Sequence, residues 1–133
     1  MDQAKSLPDL LRKSAYRWTG RPAMLIRKGN RFEPISYSQL YEIVRQYAGG
    51  LRSLGLEKGD RLAILCENCA EWAYADWGAQ SIGVAVVPVF PTLPADQVEY
   101  ILRDSGAKVV IVGDKTQFDK TNCVAGIQTV LLH

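Results

Sequence analysis

A regular alternation of helical and strand patterns from residue 36 onward constrains the fold of this 133-residue chain more than any other feature. Segments 61–66, 84–90, 108–112 and 129–132 are apolar along their length, without the alternation of a strand that faces water on one side. Strands of that kind belong to parallel sheets that helices cover on both faces. The sequence therefore predicts an α/β fold of three layers, with a mostly parallel sheet between helices.

An N-terminal helix and a small hairpin precede that alternation. Apolar residues recur at helical spacing over 7–18, and Ser6 is a suitable N-cap. Because basic residues surround the apolar face, the helix either packs on its own domain, the commoner arrangement, or associates peripherally with a membrane surface. Segments 23–27 and 31–35 flank a Gly-Asn turn and predict the hairpin.

The first long helix has clear signals at both ends. Ser36 and Gln39 form a capping box, and Gly55 follows the last apolar position as a left-handed cap. Gly49 and Gly50 lie inside the helix, where each costs about 1 kcal/mol relative to alanine. We interpret these two glycines as the place where a neighbouring element packs closely.

Two further helices are predicted between the strands. Asn68 and Glu71 form a second capping box, which opens a helix that Gly83 closes. A third helix is predicted over 94–106. Pro88 restricts the strand before it to an edge or a strand end, since proline cannot donate to the ladder.

Composition and charge exclude several classes of protein. Hydrophobic residues make up 47% and charged residues 23%, which is typical of a globular domain. The net charge of +2 comes from scattered residues and gives no case for a nucleic-acid partner. Neither a membrane-spanning run nor a signal-peptide pattern is present, and three cysteines are typical of a reducing compartment. A cytoplasmic location is expected.

The residues themselves indicate no catalytic, cofactor-binding or metal-binding set. No glycine-rich phosphate loop occurs, and the one histidine, His133, stands at the end of the chain. Cys66 and Cys69 lie between a strand and a helix N-terminus, where redox enzymes hold reactive thiols, but the charge of Glu67 opposes thiolate formation. Zinc needs about four ligands, and only Cys123 and His133 could be added.

The last residues indicate a partial domain. The chain stops at 131–133, in or directly after an apolar strand, without a closing helix or a polar tail. An open strand edge invites pairing with another chain. We therefore expect residues 1–133 to be one truncated N-terminal subdomain, whose cut surface could pair with a second copy.

Five short segments carry a family resemblance, which is strongest over residues 35–112. Their order and spacing resemble the adenylate-forming superfamily of acyl-CoA synthetases, luciferases and peptide-synthetase adenylation domains. The stretch after Phe90 is similar to the Tyr-Pro-Thr stretch of the long-chain fatty-acyl branch. The segments are Ser36–Leu40, Gly55–Ile64, Glu67–Trp72, Gly83–Pro88 and Pro91–Pro94.

This resemblance implies that the chain is the N-terminal segment of an AMP-forming, ATP-dependent long-chain fatty acid–CoA ligase. Such a parent enzyme uses ATP, Mg²⁺ and CoA, or an acyl-carrier protein in place of CoA, to activate a fatty acid through an acyl-adenylate. The family's phosphate loop and catalytic lysine have no match here, so no site residue is carried over. The chain alone is expected to be inactive and to bind none of these cofactors tightly.

The sequence departs from the family pattern at Cys66, Cys69 and Phe90, the last standing where the long-chain branch has tyrosine. Two alternatives stay open. One is a stand-alone flavodoxin-like binding or scaffold module, for which the apolar end of the chain is unfavourable. The other is a redox protein that uses the Cys66–Cys69 pair.

Overall fold

Five helices and six strands make up residues 3–132, the part of the chain that the computed structural model describes. In chain order they are α1 (Leu7–Arg17), β1 (Pro22–Lys28), β2 (Arg31–Ser36), α2 (Tyr37–Ser53), β3 (Arg61–Leu65), α3 (Ala70–Ser81), β4 (Ala85–Pro88), α4 (Ala95–Ser105), β5 (Val109–Val112), α5 (Lys115–Thr121) and β6 (Gln128–Leu131). Apart from α5, the alternation of strands and helices after residue 36 is the predicted one.

The four strands β3 to β6 form one parallel sheet in the order β4-β3-β5-β6. Leu62 of β3 pairs with Val86 on one side and with Val109 on the other, and Val109 pairs with Gln128 of β6. Within the described residues, β3 and β5 are therefore central, and β4 and β6 lie at the edges. Pro88 ends edge strand β4, which agrees with the prediction.

Helices cover both faces of this sheet. Leu62 and Ile64 pack in the core under α2 and α3, and Ala63 and Leu65 pack in the core under α4 and α5. All four side chains are fully buried. Complete burial of each leucine or isoleucine is worth about 1.5–3 kcal/mol, so the central strand anchors both layers. The predicted three-layer fold is confirmed.

A second apolar layer joins α1 and the β1–β2 hairpin to the outer side of α2 and α3. Leu11, Leu40, Val44 and Tyr74 are its buried members. Strands β1 and β2 pair antiparallel, as predicted, and contribute Met24 and other half-buried residues. Because Leu11 is buried, α1 packs on its own domain, as the sequence favours.

Arg61 fastens the amino end of the sheet. Its guanidinium donates to three carbonyl oxygens, those of Ser105 at 2.7 Å, Gly59 at 3.0 Å and Gly106 at 3.1 Å. Gly106 has a φ of +61°, the left-handed cap predicted for α4. The last carbonyls of α4 are thereby satisfied by a cation from β3.

The interpretation of Gly49 and Gly50 as a close helix contact is wrong. A Cβ atom at either position would meet no other atom within 4 Å. The close contact lies at Gly78 of α3, where a Cβ would come to 2.9 Å from Tyr47 Cβ and 3.1 Å from Ala48 N. Helix α2 turns its other face to α3, so the two glycines inside α2 are exposed.

The predicted start of α3 and the segment after β5 also need correction. Cys69, not Asn68, is the N-cap of α3, and no side chain caps the helix there. Residues 115–121, for which no helix was predicted, form α5, whose N-cap Asp114 accepts a hydrogen bond from Gln117 N. A seven-residue helix shows too little periodicity to be recognised from the sequence.

Candidate functional site at the carboxyl edge of the sheet

The carboxyl ends of the parallel strands form the edge at which open α/β sheets bind ligands. From β3 the chain passes to β4 on one side of the sheet, and from β4 it crosses over to β5 on the other. The loops after β3 and β5 therefore leave toward opposite faces, on which α3 and α5 lie. The crevice between β3 and β5 is the topological switch point of this sheet.

The loops on the two sides of this crevice are in direct contact. A Cβ atom at Gly113, after β5, would lie 2.7 Å from Cys66 Cβ and 3.3 Å from Cys66 Cα. Gly113 N also donates to Leu65 O at 3.1 Å. The base of the crevice is therefore closed by backbone, and only glycine fits at position 113 without displacing Cys66.

Cys66 and Cys69 lie on the loop between β3 and α3. Their Sγ atoms are 4.0 Å apart, and both thiols are free. Burial, followed by the charge of Cys69 and its hydrogen bond, raises the pKa of the Cys66 thiol to about 12, and the carboxylates of Glu71 and Glu67 act in the same direction. The effect predicted for Glu67 thus has the right sign, although burial is the larger cause.

Lys120 of α5 holds the loop between β4 and α4. Its ammonium group donates to Pro91 O at 2.6 Å and to Leu93 O at 2.9 Å. The aromatic ring of Phe90, next in the chain to this contact, is exposed. The sequence did not reveal Lys120 as a positioning residue, because its partners lie in another loop and α5 itself was not recognised.

A shallow depression of about 270 Å³ lies between the loops after β3 and β4. Three segments that carried the family resemblance, 67–72, 83–88 and 91–94, contribute residues to it, so the fold brings them together. Among the lining residues Glu67 is the one charged group, which leaves phosphate without a cationic partner there. The lining residues are Cys66, Glu67, Asn68, Trp72, Pro88, Val89, Phe90, Pro91 and Thr92.

Within residues 3–132, no group of three His, Cys, Asp or Glu side chains is placed to hold a metal ion. His133, considered as a zinc ligand with Cys123, lies outside the described residues. No helix in the described range is both long and apolar enough to cross a membrane.

Comparison with known proteins identifies the family. A family model described as AMP-binding enzyme matches residues 11–131. The chain belongs to this family. The AMP-binding fold accounts for the parallel sheet and for the order of the five resembling segments.

Relatives of this AMP-binding segment are much longer than the chain. The long-chain-fatty-acid–CoA ligase ACSBG2 of Rattus norvegicus is 30% identical over 115 residues, which are 86% of this chain and 17% of that protein. The long-chain-fatty-acid–CoA ligase FadD13 of Mycobacterium tuberculosis is 40% identical over 79 residues, 59% of this chain and 16% of the ligase. The solved Mycobacterium tuberculosis fatty acyl CoA synthetase has a TM-score of 0.87 at 29% identity, covering 99% of this chain and 27% of that one. The chain thus spans a minor part of the length of these relatives.

Proposed function

We propose that this AMP-binding segment is the N-terminal part of a long-chain fatty acid–CoA ligase. The match of the family model over 11–131 supports the proposal most directly. The names of the relatives, which are long-chain-fatty-acid–CoA ligases, support the choice of acid and thiol. In such an enzyme the fatty-acid carboxylate attacks the α-phosphorus of ATP and releases pyrophosphate, and the CoA thiol then displaces AMP from the acyl-adenylate.

The role of residues 3–132 in this proposal is to build and space the carboxyl edge of the sheet. Adenylation needs positive charge beside the phosphates, from a metal ion and basic side chains. The residues that line the depression between the loops after β3 and β4 offer one carboxylate and no cation. We therefore assign ATP, Mg²⁺ and CoA to parts of the enzyme outside this chain, and we propose that the chain alone does not adenylate.

The test compares two polypeptides in one assay. The 133-residue chain and the product of the complete reading frame are each incubated with ATP, Mg²⁺, CoA and a long-chain fatty acid, and pyrophosphate and AMP are measured. Only the product of the complete reading frame is expected to release both. Steady pyrophosphate release from the 133-residue chain would overturn its assignment as a scaffold. Absence of AMP with the complete product would overturn the ligase assignment.

A second candidate function is a stand-alone binding module. The strand order β4-β3-β5-β6 corresponds to the first four strands of a flavodoxin-like sheet, which binds its ligand at the same switch point. Thermal unfolding of the 133-residue chain with and without flavin mononucleotide or ATP separates the two proposals. A rise in the midpoint that depends on ligand concentration favours the module.

The uncovered side of β6 supports a further proposal about partners. An apolar groove of about 480 Å³ lies beside this edge strand, whose outer backbone groups have no partner strand in the described residues. We propose that a second copy of the chain pairs antiparallel with β6 and fills the groove. The groove is lined by Gln46, Tyr47, Gly50, Leu51, Leu54, Ile111, Val130 and Leu132.

Membrane-surface contact by α1 and a cytoplasmic location stay predictions.

A further inference from the structure

The paired thiols after β3 are not used by the proposed ligase function. Two free thiols with Sγ atoms 4.0 Å apart need to approach by about 2 Å to reach the length of a disulfide bond. Rotation about side-chain torsions covers a distance of that size. The disulfide bond can therefore form if at least one of the two side chains is free to move.

Cys66 is fixed, and Cys69 is the thiol that can move. The backbone of Gly113 lies against Cys66, which is 5% exposed and part of the core under α3. Cys69 is half-buried and is the N-cap of α3, yet its side chain makes no capping hydrogen bond. Moving the Cys69 thiol toward Cys66 therefore sacrifices no helix-capping contact.

The surroundings also set the order of reaction. Cys69 lines an open groove between β1 and the start of α3, together with Met24, Asn68 and Glu71, so a reagent from solvent reaches this thiol first. Cys66 is shielded by burial, and its raised pKa disfavours attack on the reagent. Once Cys69 is modified, its Sγ carries a leaving group within about 4 Å of the Cys66 thiol, and Cys66 can displace that group.

We propose that Cys66 and Cys69 form a dithiol modification site that low-molecular-mass disulfide oxidants convert reversibly into an intrachain disulfide. The Cys69 thiolate attacks one sulfur of the oxidant and releases one thiol. Cys66 then attacks Sγ of Cys69, which forms the Cys66–Cys69 bond and releases the second thiol. Each step is a thiol–disulfide exchange, so two protein thiols are oxidised and one oxidant disulfide is reduced to two thiols. This site does not depend on the ligase function.

The bond has a definite structural consequence. It ties the carboxyl end of β3 to the first turn of α3 at the loop that borders the depression at the carboxyl edge. Cys66 is among the lining residues of that depression, and Cys69 lines the groove on the other side of the loop. Oxidation therefore changes the walls of two neighbouring surface depressions together.

The experiment uses the full chain with Cys123→Ser, which removes the exposed third thiol. The protein is treated with oxidised glutathione and analysed by intact mass and thiol titration. We expect a loss of both thiols and a mass decrease of about 2 Da, both reversed by dithiothreitol. Phenylarsine oxide, which bridges neighbouring thiols, is expected to protect the reduced protein from this change.

The matched control is the chain with Cys69→Ser and Cys123→Ser, which keeps buried Cys66 as the single thiol. It is expected to keep its thiol and its mass under the same treatment. Retention of both thiols in the Cys123→Ser chain, or a stable glutathione adduct without the mass decrease, would overturn the proposal. Far-UV circular dichroism of both variants establishes that each is folded when treated.

Discussion

A single residue, Lys120, holds the loop after β4. Lys120 Nζ donates to two carbonyl oxygens, 2.6 Å from Pro91 O and 2.9 Å from Leu93 O. Both acceptors belong to one turn of the β4–α4 loop, so the ammonium group fixes the direction in which the chain leaves the sheet. Loop backbone without such a partner would depend on water for these hydrogen bonds.

Replacement of Lys120 by methionine keeps the apolar stem and removes the donors. We expect Lys120→Met to lower the free energy of unfolding by about 1–2 kcal/mol, because two carbonyls lose a charged donor. Urea unfolding measures this loss, and limited proteolysis should show faster cleavage within 90–94. Lys115→Met is the control, since Lys115 is exposed and its Nζ lies 3.8 Å from Oδ1 of the exposed Asp119. The effect of this substitution on the free energy of unfolding should stay within about 0.5 kcal/mol. Equal effects of the two substitutions would contradict the role of Lys120.

A contact between residues close in sequence was predicted correctly at α2 but not at α3 or α5, and contacts between distant residues were not predicted. The cap at Ser36 and Gln39 joins residues three apart, and both of its hydrogen bonds are present. Gly113 and Cys66, which are in contact, lie 47 residues apart in the chain. Lys120 donates to the carbonyl of Leu93, which is 27 residues away. Nothing in the local pattern of a sequence reports such contacts.

At the scale of elements, the α2–α3 contact depends on a glycine that the sequence pattern did not single out. Gly78 lies where the backbone of α2 comes nearest to α3. Gly49 and Gly50 are adjacent in a long helix and were expected to mark a close contact, but they face solvent. A glycine within a helix reports either close packing or exposure, and only the positions of neighbouring helices distinguish the two.

Two alanine substitutions test this assignment. Gly78→Ala should destabilise the protein by about 1–3 kcal/mol, because the added methyl group would lie 2.9 Å from Tyr47 Cβ and 3.1 Å from Ala48 N. Gly49→Ala, with open space around the same atom, should stabilise it by about 0.5–1 kcal/mol through helix propensity. Thermal and urea unfolding give both values. A stabilising effect of Gly78→Ala would contradict the close contact.

At the scale of the whole molecule, the layers and the parallel sheet were predictable, whereas the strand order was not. Apolar strands that alternate with helices are enough to indicate a parallel sheet covered on both faces. The position of β4 and β5 on opposite sides of β3 comes from long-range pairing, such as Leu62 with Val86 and Val109. The switch point, and with it the candidate site, could not be placed before that order was known.

The open edge at β6 leads to a prediction about assembly. If a second copy pairs with β6, the apparent mass in sedimentation velocity should rise with concentration. Val130→Lys introduces a charge in the apolar groove and should shift the protein toward the monomer. Thr116→Lys, at an exposed position of α5 outside the groove, is the charge-matched control and should behave like the unmodified chain. A concentration-independent monomer would contradict the pairing.

The hydrogen bonds of Arg61 give the two ends of the sheet different chemical characters. At the amino end, the guanidinium of Arg61 makes three carbonyl contacts that join β3 to the end of α4. At the opposite end, burial raises the pKa of the Cys66 thiol, so the folded state holds this proton more tightly than the unfolded state. The resulting stabilisation is complete in acid and neutral solution and disappears as alkali ionises the thiol. The pole of the molecule nearest the depression thus senses the alkalinity of its medium.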